Sequence, residues 1–390
     1  MQLSVIILNY NVRYFLEQCV LSVQNALETI DGEIIVVDNN SSDDSCAMMK
    51  QRFPNVKLIE NKQNSGFPKG NNIGVAIAKG EYICILNPDT VVAEDTFTKV
   101  LAFAKQQTEL GIVGCKLIDG TGNFLPESKR GVPTPWVAFT KITGLYKAFP
   151  KSILFNKYYA QYLDENETGK VDILVGAFMV MKRDLYLEVG GFDENCFMYS
   201  DDIDLSYTVL QKGKSNYYFH ETSAIHYKGE STVKDGTYMK RFREAMHFFY
   251  QKHFHVSFLF DVFMRLGAFF FALIKKNQAK QIHLSIDEYV LYSSDENLKN
   301  KVEKQLQKKL HWVTNIDENT LFSHLNSKGK QIEILLDNNS FSFKKIIAFL
   351  EKNRSQSREF GITFKIIPQN TSFMIGSNSS NDRGEIIKID

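Results

Sequence analysis

The residues best suited to chemistry in this chain are acids placed where predicted elements begin or end. Asp89 closes the run GEYICILNPDT at residues 80–90. Tyr82–Leu86 is a short apolar stretch with strand propensity. Pro88 cannot donate to a sheet ladder and holds Asn87 extended, so the strand stops there. A carboxylate is thereby presented at the carboxyl end of a buried strand, the edge at which open α/β sheets bind ligands. The same residues also make an ordinary Asx turn. Asp38 ends a second apolar run in EIIVVDNNSSDD, residues 33–44. An acid there can accept hydrogen bonds from a base or from ribose hydroxyls, while Ser41 to Asp44 supply helix caps. Asp201, Asp202 and Asp204 cluster at the start of a predicted helix, after the Gly190-Gly191 turn. A helix N-terminus favours anions. Adjacent carboxylates also raise each other's pKa, which suits one of them to proton abstraction. His226, in AIHYKGES, offers an imidazole able to complete a metal site with Asp89.

Between these acids lies NSGFPKGNNIG, residues 64–74. Gly66, Gly70 and Gly74 recur every four residues ahead of a helix, which permits close backbone approach and places a helix N-terminus at hand. The segment is neither a Walker A loop nor GxGxxG. Following Asp38 and preceding Asp89, it reads as one wall of a nucleotide pocket, with Lys69 as a phosphate contact.

Alternating elements must position these groups. Strands are predicted at Leu3–Leu8, Glu33–Val37, Val56–Glu60, Tyr82–Leu86 and Ile112–Lys116. Helices are predicted at Arg13–Thr29, Ser45–Phe53, Asn71–Ala78 and Ala93–Gln107. The alternation implies βαβ units and a mainly parallel α/β sheet. Residues 126–165 read instead as a long excursion rich in proline, aromatics and lysine. Strand and helix signals return at Val171–Lys182 and Asp201–Lys212. Phe254–Ile274 is Phe-rich and mostly helical, and its uncharged run Leu266–Ile274 falls short of the roughly 20 apolar residues a span needs. It reads either as an interfacial helix, with Asp261 and Arg265 paired at i,i+4, or as a packed helix joining two domains. Residues 280–390 read as a second α/β unit. Its strands are predicted at Tyr289–Tyr292, Gln331–Leu336, Thr363–Ile367 and Phe373–Ile375, and its helices at Leu298–Leu310 and Phe343–Lys352.

Composition narrows the class. A chain of 390 residues suggests two or three domains, and 44% apolar content supports a real core. A net charge of +1 gives no reason to expect a nucleic-acid partner. Five scattered cysteines without a CxxC pair argue against a disulfide framework or a structural zinc, and fit a reduced cytoplasmic protein. The first ten residues lack the charged region and cleavage site of a signal peptide and are expected to enter the fold directly.

The ordered set SVIILNYN, EIIVVDNNSSDDS, GFPKGNNIG, GEYICILNPDT, VGAFMVMKRD, GGFDENCFMYSDDIDL and HYKGES resembles the family 2 glycosyltransferases of the GT-A fold. It most resembles the rhamnosyltransferase-like branch that builds bacterial surface polysaccharides. The resemblance implies a Rossmann-like GT-A nucleotide-diphospho-sugar transferase domain at residues 1–250. An amphipathic, aromatic-rich linker at 251–279 and a small α/β domain at 280–390 would follow. In that family Asp38 matches the residue that holds the nucleotide, and Asp89 the final acid of the metal-binding DxD motif. Asp202 matches the catalytic base, the second acid of a Glu-Asp pair, with Asp201 in place of the Glu. Here DxD is reduced to Asn87-Pro-Asp89, so His226 or the donor diphosphate must assist a Mg²⁺ or Mn²⁺ ion. Asn9, Asp38, Asn39, Gly66, Lys69, Asn71 and Asn87 are assigned to the donor.

The implied reaction is inverting, metal-dependent transfer from a dTDP-rhamnose or UDP-hexose type donor to a hydroxyl of a saccharide or lipid-linked acceptor. The processive QxxRW motif is absent, the only tryptophans being Trp136 and Trp312, so one sugar is added per encounter. Residues 126–165 and Phe254–Ile274 would frame the acceptor, with peripheral contact at the cytoplasmic face of the inner membrane. A sugar nucleotidyltransferase, releasing pyrophosphate, and a catalytically silent sugar-binding scaffold are the other classes these residues suit.

Overall fold

A computed structural model describes residues 1–150, 152, 154–227, 237–254, 285–316, 330–377 and 384–389. The apolar runs near the N-terminus form β1 (Leu3–Asn9), β2 (Gly32–Asp38), β3 (Lys57–Glu60) and β4 (Tyr82–Leu86). They alternate with α1 (Arg13–Leu27), α2 (Ser45–Arg52) and α3 (Phe67–Ala76). All four strands are parallel, in the order β3-β2-β1-β4. The chain builds outward from β1 to β3, then returns to the far side of β1 with β4. This reversal makes the carboxyl ends of β1 and β4 a topological switch point.

The sheet is extended by β5 (Thr90–Val92), α4 (Thr96–Lys105), β6 (Leu110–Ile118), α5 (Pro135–Ile142), α6 (Leu145–Ala148) and β7 (Gly169–Val171). It is completed by β8 (Phe178–Lys182), α7 (Arg183–Glu188), α8 (Asp201–Gln211), β9 (Ser215–His226) and α9 (Thr237–His253). β8 runs antiparallel between β4 and β6, and β9 lies parallel to β6 and antiparallel to β5 and β7. Side chains alternate along each strand. Ile6, Leu8, Ile35, Val37, Ile83 and Ile85 face Val75, Leu185, Tyr186 and Leu205. Val5, Ile7, Ile34, Val36, Cys84 and Leu86 face Leu16, Val20, Met49, Phe97 and Val100 on α1, α2 and α4.

Several expectations need correction. α3 begins at Phe67, four residues before the expected start at Asn71. Gly66, at φ 84°, turns the chain into the helix and Pro68 occupies its first turn, where a missing N–H costs nothing. Gly70 and Gly74 serve the helix rather than a ligand. A Cβ at these positions would lie 2.3 Å from the Leu8 side chain and 2.6 Å from that of Ile6. The four-residue spacing therefore lets α3 sit directly on β1. The excursion at 126–165 contains α5, α6 and a 3-10 turn at Pro126–Ser128. β5 and β9 carry no clear signal: β5 has three residues, and β9 is broken by polar positions and a register shift opposite Cys115 and Lys116. Residues 255–274 of the Phe-rich segment lie outside the described residues.

The second unit comprises β10 (Glu288–Tyr292), α10 (Glu296–Leu306), β11 (Leu310–Val313), β12 (Ile332–Asp337), α11 (Phe343–Phe360), β13 (Ile362–Ile367), β14 (Phe373–Gly376) and β15 (Glu385–Lys388). Its sheet runs β11-β10-β12-β13-β14-β15, the first four parallel. It is welded to the first unit by a shared core. Val91, Ala93, Ile118, Ile225 and Tyr227 pack in one cluster with Phe343, Ile346 and Leu350. Burying each large side chain of this kind contributes about 1.5–3 kcal/mol.

The N-terminus of α11 is capped from both units. The Ser342 hydroxyl accepts from Lys345 N at 3.4 Å, and the Glu94 carboxylate accepts from Phe343 N and Lys344 N, each at 2.8 Å. An acid here satisfies two orphan donors and complements the helix dipole. Glu94→Ala is expected to lower stability by about 1–2 kcal/mol. Urea denaturation of the full chain would measure it, and an unchanged midpoint would contradict the capping role.

Candidate active site

Three strand ends meet at the switch point. Asn9 lies beside Asp38 in the β1–β2 register, and Asn87 follows the last residue of β4. Asp38 is buried, and its oxygens are already engaged. They accept from Asn9 Nδ2 at 2.7 Å, Ser41 Oγ at 2.6 Å and Ser41 N at 2.8 Å. Asn9 Oδ1 is buried without a hydrogen-bond partner among the described residues. Asn39 acts as a clamp. Its Nδ2 donates to Asn64 Oδ1 and Gly66 O, while its Oδ1 accepts from Asn61 and Ser65. The loop before α3 is thus tied to the end of β2.

A cleft of about 240 Å³ opens over these ends. Its lining includes Asn39, Asn64, Gly66, Asn87, Arg130, Gly176, Asp201 and Asp202. Gly66 is required on two counts: its φ is 84°, and a Cβ there would lie 2.9 Å from Phe197. Asn9, Asp38, Lys69, Asn71, Asp89 and His226 are not among the lining residues. The Lys69 ammonium is half-exposed and lies 3.8 Å from Glu194, and the buried Asn71 amide donates to Phe67 O of its own helix. A role missed in the sequence belongs to Asn72. Its Oδ1 accepts from Tyr186 Oη at 2.6 Å and Phe192 N at 3.2 Å, holding the Gly190-Gly191 turn against α3.

Asp89 and His226 are brought together. Pairing of β5 with β9 sets Thr90 opposite His226. His226 Nε2 then lies 3.5 Å from Asp89 Oδ1 and 3.4 Å from Asn87 Nδ2. Both residues are buried. Asp89 Oδ1 and His226 Nδ1 have no hydrogen-bond partner among the described residues. A divalent ion shared by these two residues would need their donor atoms roughly 3 Å apart, against the 3.5 Å between them here. Among the described residues no third His, Cys, Asp or Glu joins them. Such a donor set suits an ion that takes its remaining ligands from phosphates and water.

The acidic cluster divides three ways. Asp204 is drawn away by α9, accepting from His253 Nε2 at 2.6 Å and Lys252 Nζ at 2.9 Å. Asp202 Oδ2 accepts from Arg130 at 2.5 Å and from Gly176 N at 3.1 Å. Asp201 is buried, and burial together with the neighbouring Asp202 charge pushes its carboxyl up to about 7. Arg130 was not foreseen. It lies in the proline- and aromatic-rich excursion, and the β-bridge it forms with Ile173 brings it beside α8. Its guanidinium also donates to Leu174 O at 3.2 Å, and the Asp202 charge raises its pKa against the opposing effect of burial.

A carboxyl with a native pKa above its unfolded value loses stabilisation as it ionises. Asp201 therefore favours the native state most below about pH 4 and progressively less as pH rises through about 7. Asp201→Asn is expected to gain stability relative to the parent between pH 5 and pH 8. Urea unfolding of both proteins at the two pH values tests this, and a pH-independent difference would contradict it.

Comparisons with known proteins point to one family. Residues 4–190 match the family described as Glycosyl transferase family 2. The N-acetylglucosaminyl-diphospho-decaprenol L-rhamnosyltransferase of Mycobacterium tuberculosis is 25% identical over 246 residues, covering 60% of this chain and 78% of that protein. The GalNAc(5)-diNAcBac-PP-undecaprenol beta-1,3-glucosyltransferase of Campylobacter jejuni is 30% identical over 181 residues, covering 43% and 57%. Among solved structures, the mannosyltransferase PcManGT from Pyrobaculum calidifontis shares 16% identity at a TM-score of 0.46, covering 72% of this chain and 76% of that chain. On this sequence match, residues 4–190 carry a glycosyl transferase family 2 domain and the chain is a glycosyltransferase.

Proposed function

We propose that the chain transfers one sugar per encounter, with inversion, from a nucleotide-diphospho-sugar of the dTDP-rhamnose or UDP-hexose type. The acceptor is a hydroxyl of a saccharide or lipid-linked saccharide in polysaccharide biosynthesis. The observation that carries this reading is the cleft itself, where strand-end amides and a pair of buried acids share one lining. Two relatives are named for rhamnosyl and glucosyl transfer, with acceptors written as diphospho-decaprenol and PP-undecaprenol.

The donor would lie along the strand ends. Asn9 Oδ1 is left to accept from it, and the Asn39 clamp fixes the 64–66 loop as its wall. Asp38 contributes by orienting Asn9 and Ser41. Lys69 would have to leave Glu194 to reach a phosphate. Asp89 and His226 would hold the divalent ion, Mg²⁺ or Mn²⁺, whose chemistry is neutralisation of the departing diphosphate.

Asp202 is the base. Arg130 and Gly176 engage its Oδ2 and leave Oδ1 for the acceptor hydroxyl. That oxygen takes the proton as the hydroxyl attacks the anomeric carbon, and the bond to the diphosphate breaks on the opposite face. Arg130 keeps the carboxylate from turning away, and Asp201 stands beside it with a carboxyl near neutrality. Two acids whose environments differ this much are suited to different roles.

Asp202→Asn is expected to reduce turnover by about 10²-fold or more while leaving donor binding largely intact. Turnover would be read as nucleoside diphosphate release, and donor binding as the thermal shift with a nucleotide-sugar panel. Near-normal turnover would reject the assignment, and pyrophosphate release from a nucleoside triphosphate would reject the reaction class. Asp89→Ala is expected to abolish the metal-dependent part of the donor shift. A shift that survives in full would remove Asp89 from the metal site.

A further inference from the structure

Residues 131–163 contain four lysines, eight aromatic residues and no Asp or Glu. The segment follows Arg130 directly and is anchored beside the acids. Gly131 N donates to Lys157 O at 2.9 Å, and Tyr250 Oη donates to Pro133 O at 2.5 Å. Its inner side is packed: Val137, Thr140, Asn156 and Ala160 are buried, and the Lys141 ammonium lies 3.6 Å from the Tyr158 ring centroid. Its outer side is apolar. Trp136, Phe149 and Leu154 are 49%, 52% and 65% exposed. They form one patch around Phe155. Its ring lies 5.9 Å from Trp136 and 5.6 Å from Phe149, and Trp136 Nε1 donates to Leu154 O at 2.9 Å. Lys147 and Lys157 are exposed in the same segment.

We propose that this Trp136–Phe149–Leu154 patch is a docking surface for an anionic lipid bilayer, seating the protein peripherally with the catalytic cleft beside the headgroups. Tryptophan and phenylalanine on a helical segment partition into the boundary between headgroups and acyl chains. The exposed Lys147 and Lys157 add attraction to anionic lipid. The charge decides the occupant, because a partner protein or a second copy gives no reason for excluding every acid from 33 consecutive residues. Among the described residues no helix is long and apolar enough to cross a membrane, so this contact rests on the surface and does not span it. The inference deepens the lipid-linked acceptor reading and rests on it only for its purpose.

The test is flotation of the full chain with phosphatidylethanolamine–phosphatidylglycerol vesicles, with phosphatidylcholine vesicles for comparison. The parent is expected to float with the anionic vesicles and poorly with the neutral ones. Trp136→Ser/Phe149→Ser/Leu154→Ser should lower vesicle binding by about tenfold or more, and Lys147→Glu/Lys157→Glu should lower binding to anionic vesicles selectively. Circular dichroism melting confirms that the variants fold, because all five side chains are exposed. Flotation of the triple variant at the parent's level overturns the proposal, as does failure of the parent to float. Vesicle-independent dimerisation that the triple substitution abolishes would assign the patch to a second copy instead. Asp202→Asn should float like the parent, and a parent that floats but shows neither a donor shift nor nucleoside diphosphate release would fail the transferase reading alone.

Discussion

The antiparallel pairing of β5 with β9 is the constraint on which the site and the second unit both depend. It sets Thr90 opposite His226 and so places an imidazole beside Asp89 across a large sequence separation. The other side of the same strands supplies Val91 and Ile225 to the core shared with α11. A shift of one residue in this register would turn every side chain to the opposite face. The imidazole would leave Asp89, and the apolar residues would leave the second unit's core. The Asp89–His226 pair and the interdomain packing are thus set by one ladder.

The second unit has a physical role in holding the first. Its helix α11 lies on β5 and β9, and Glu94, two residues beyond β5, satisfies the helix's first backbone donors. The Lys116–Glu351 and Lys344–Asp95 ion pairs span the same boundary. The exposed Lys344–Asp95 pair adds little stability, so the shared apolar core, the helix cap and the largely buried Lys116–Glu351 pair carry the attachment. The polar end of β12 is self-satisfied: Asp337 accepts from Ser293, Ser340 and Asn339. That edge resembles a ligand site in composition, but its hydrogen bonds are closed within the unit.

Within the cleft, burial sorts acids that look alike in the sequence. Asp201, Asp202 and Asp204 share one helix turn, yet each has a different neighbour. Asp204 meets His253 and Lys252 of α9, Asp202 meets Arg130, and Asp201 is left in a buried setting that raises its pKa. The difference comes from packing, since three elements approach one helix end from three directions. Arg130 illustrates the same point, because an arginine among prolines and aromatics carries no local signal for a role beside α8.

The sequence alone determined the alternating elements, the parallel half of the sheet and the family. Strand periodicity, Pro88 and the helix signals act over a few residues, where local chemistry decides the conformation. For the same reason Asp38, Asn87, Asp89 and Asp202 were legible as strand-end and helix-start groups. Tertiary structure decided what required distant partners. It assigned the glycines of 64–74 chiefly to packing against β1, sent Lys69 toward Glu194 and brought Arg130 to Asp202. It also created β9, whose broken alternation forms a strand only because β6, β5 and β7 supply its hydrogen-bond partners. Local propensity acts along the chain, whereas ion pairs, register and burial depend on elements meeting in space, and those meetings exist only in the folded chain.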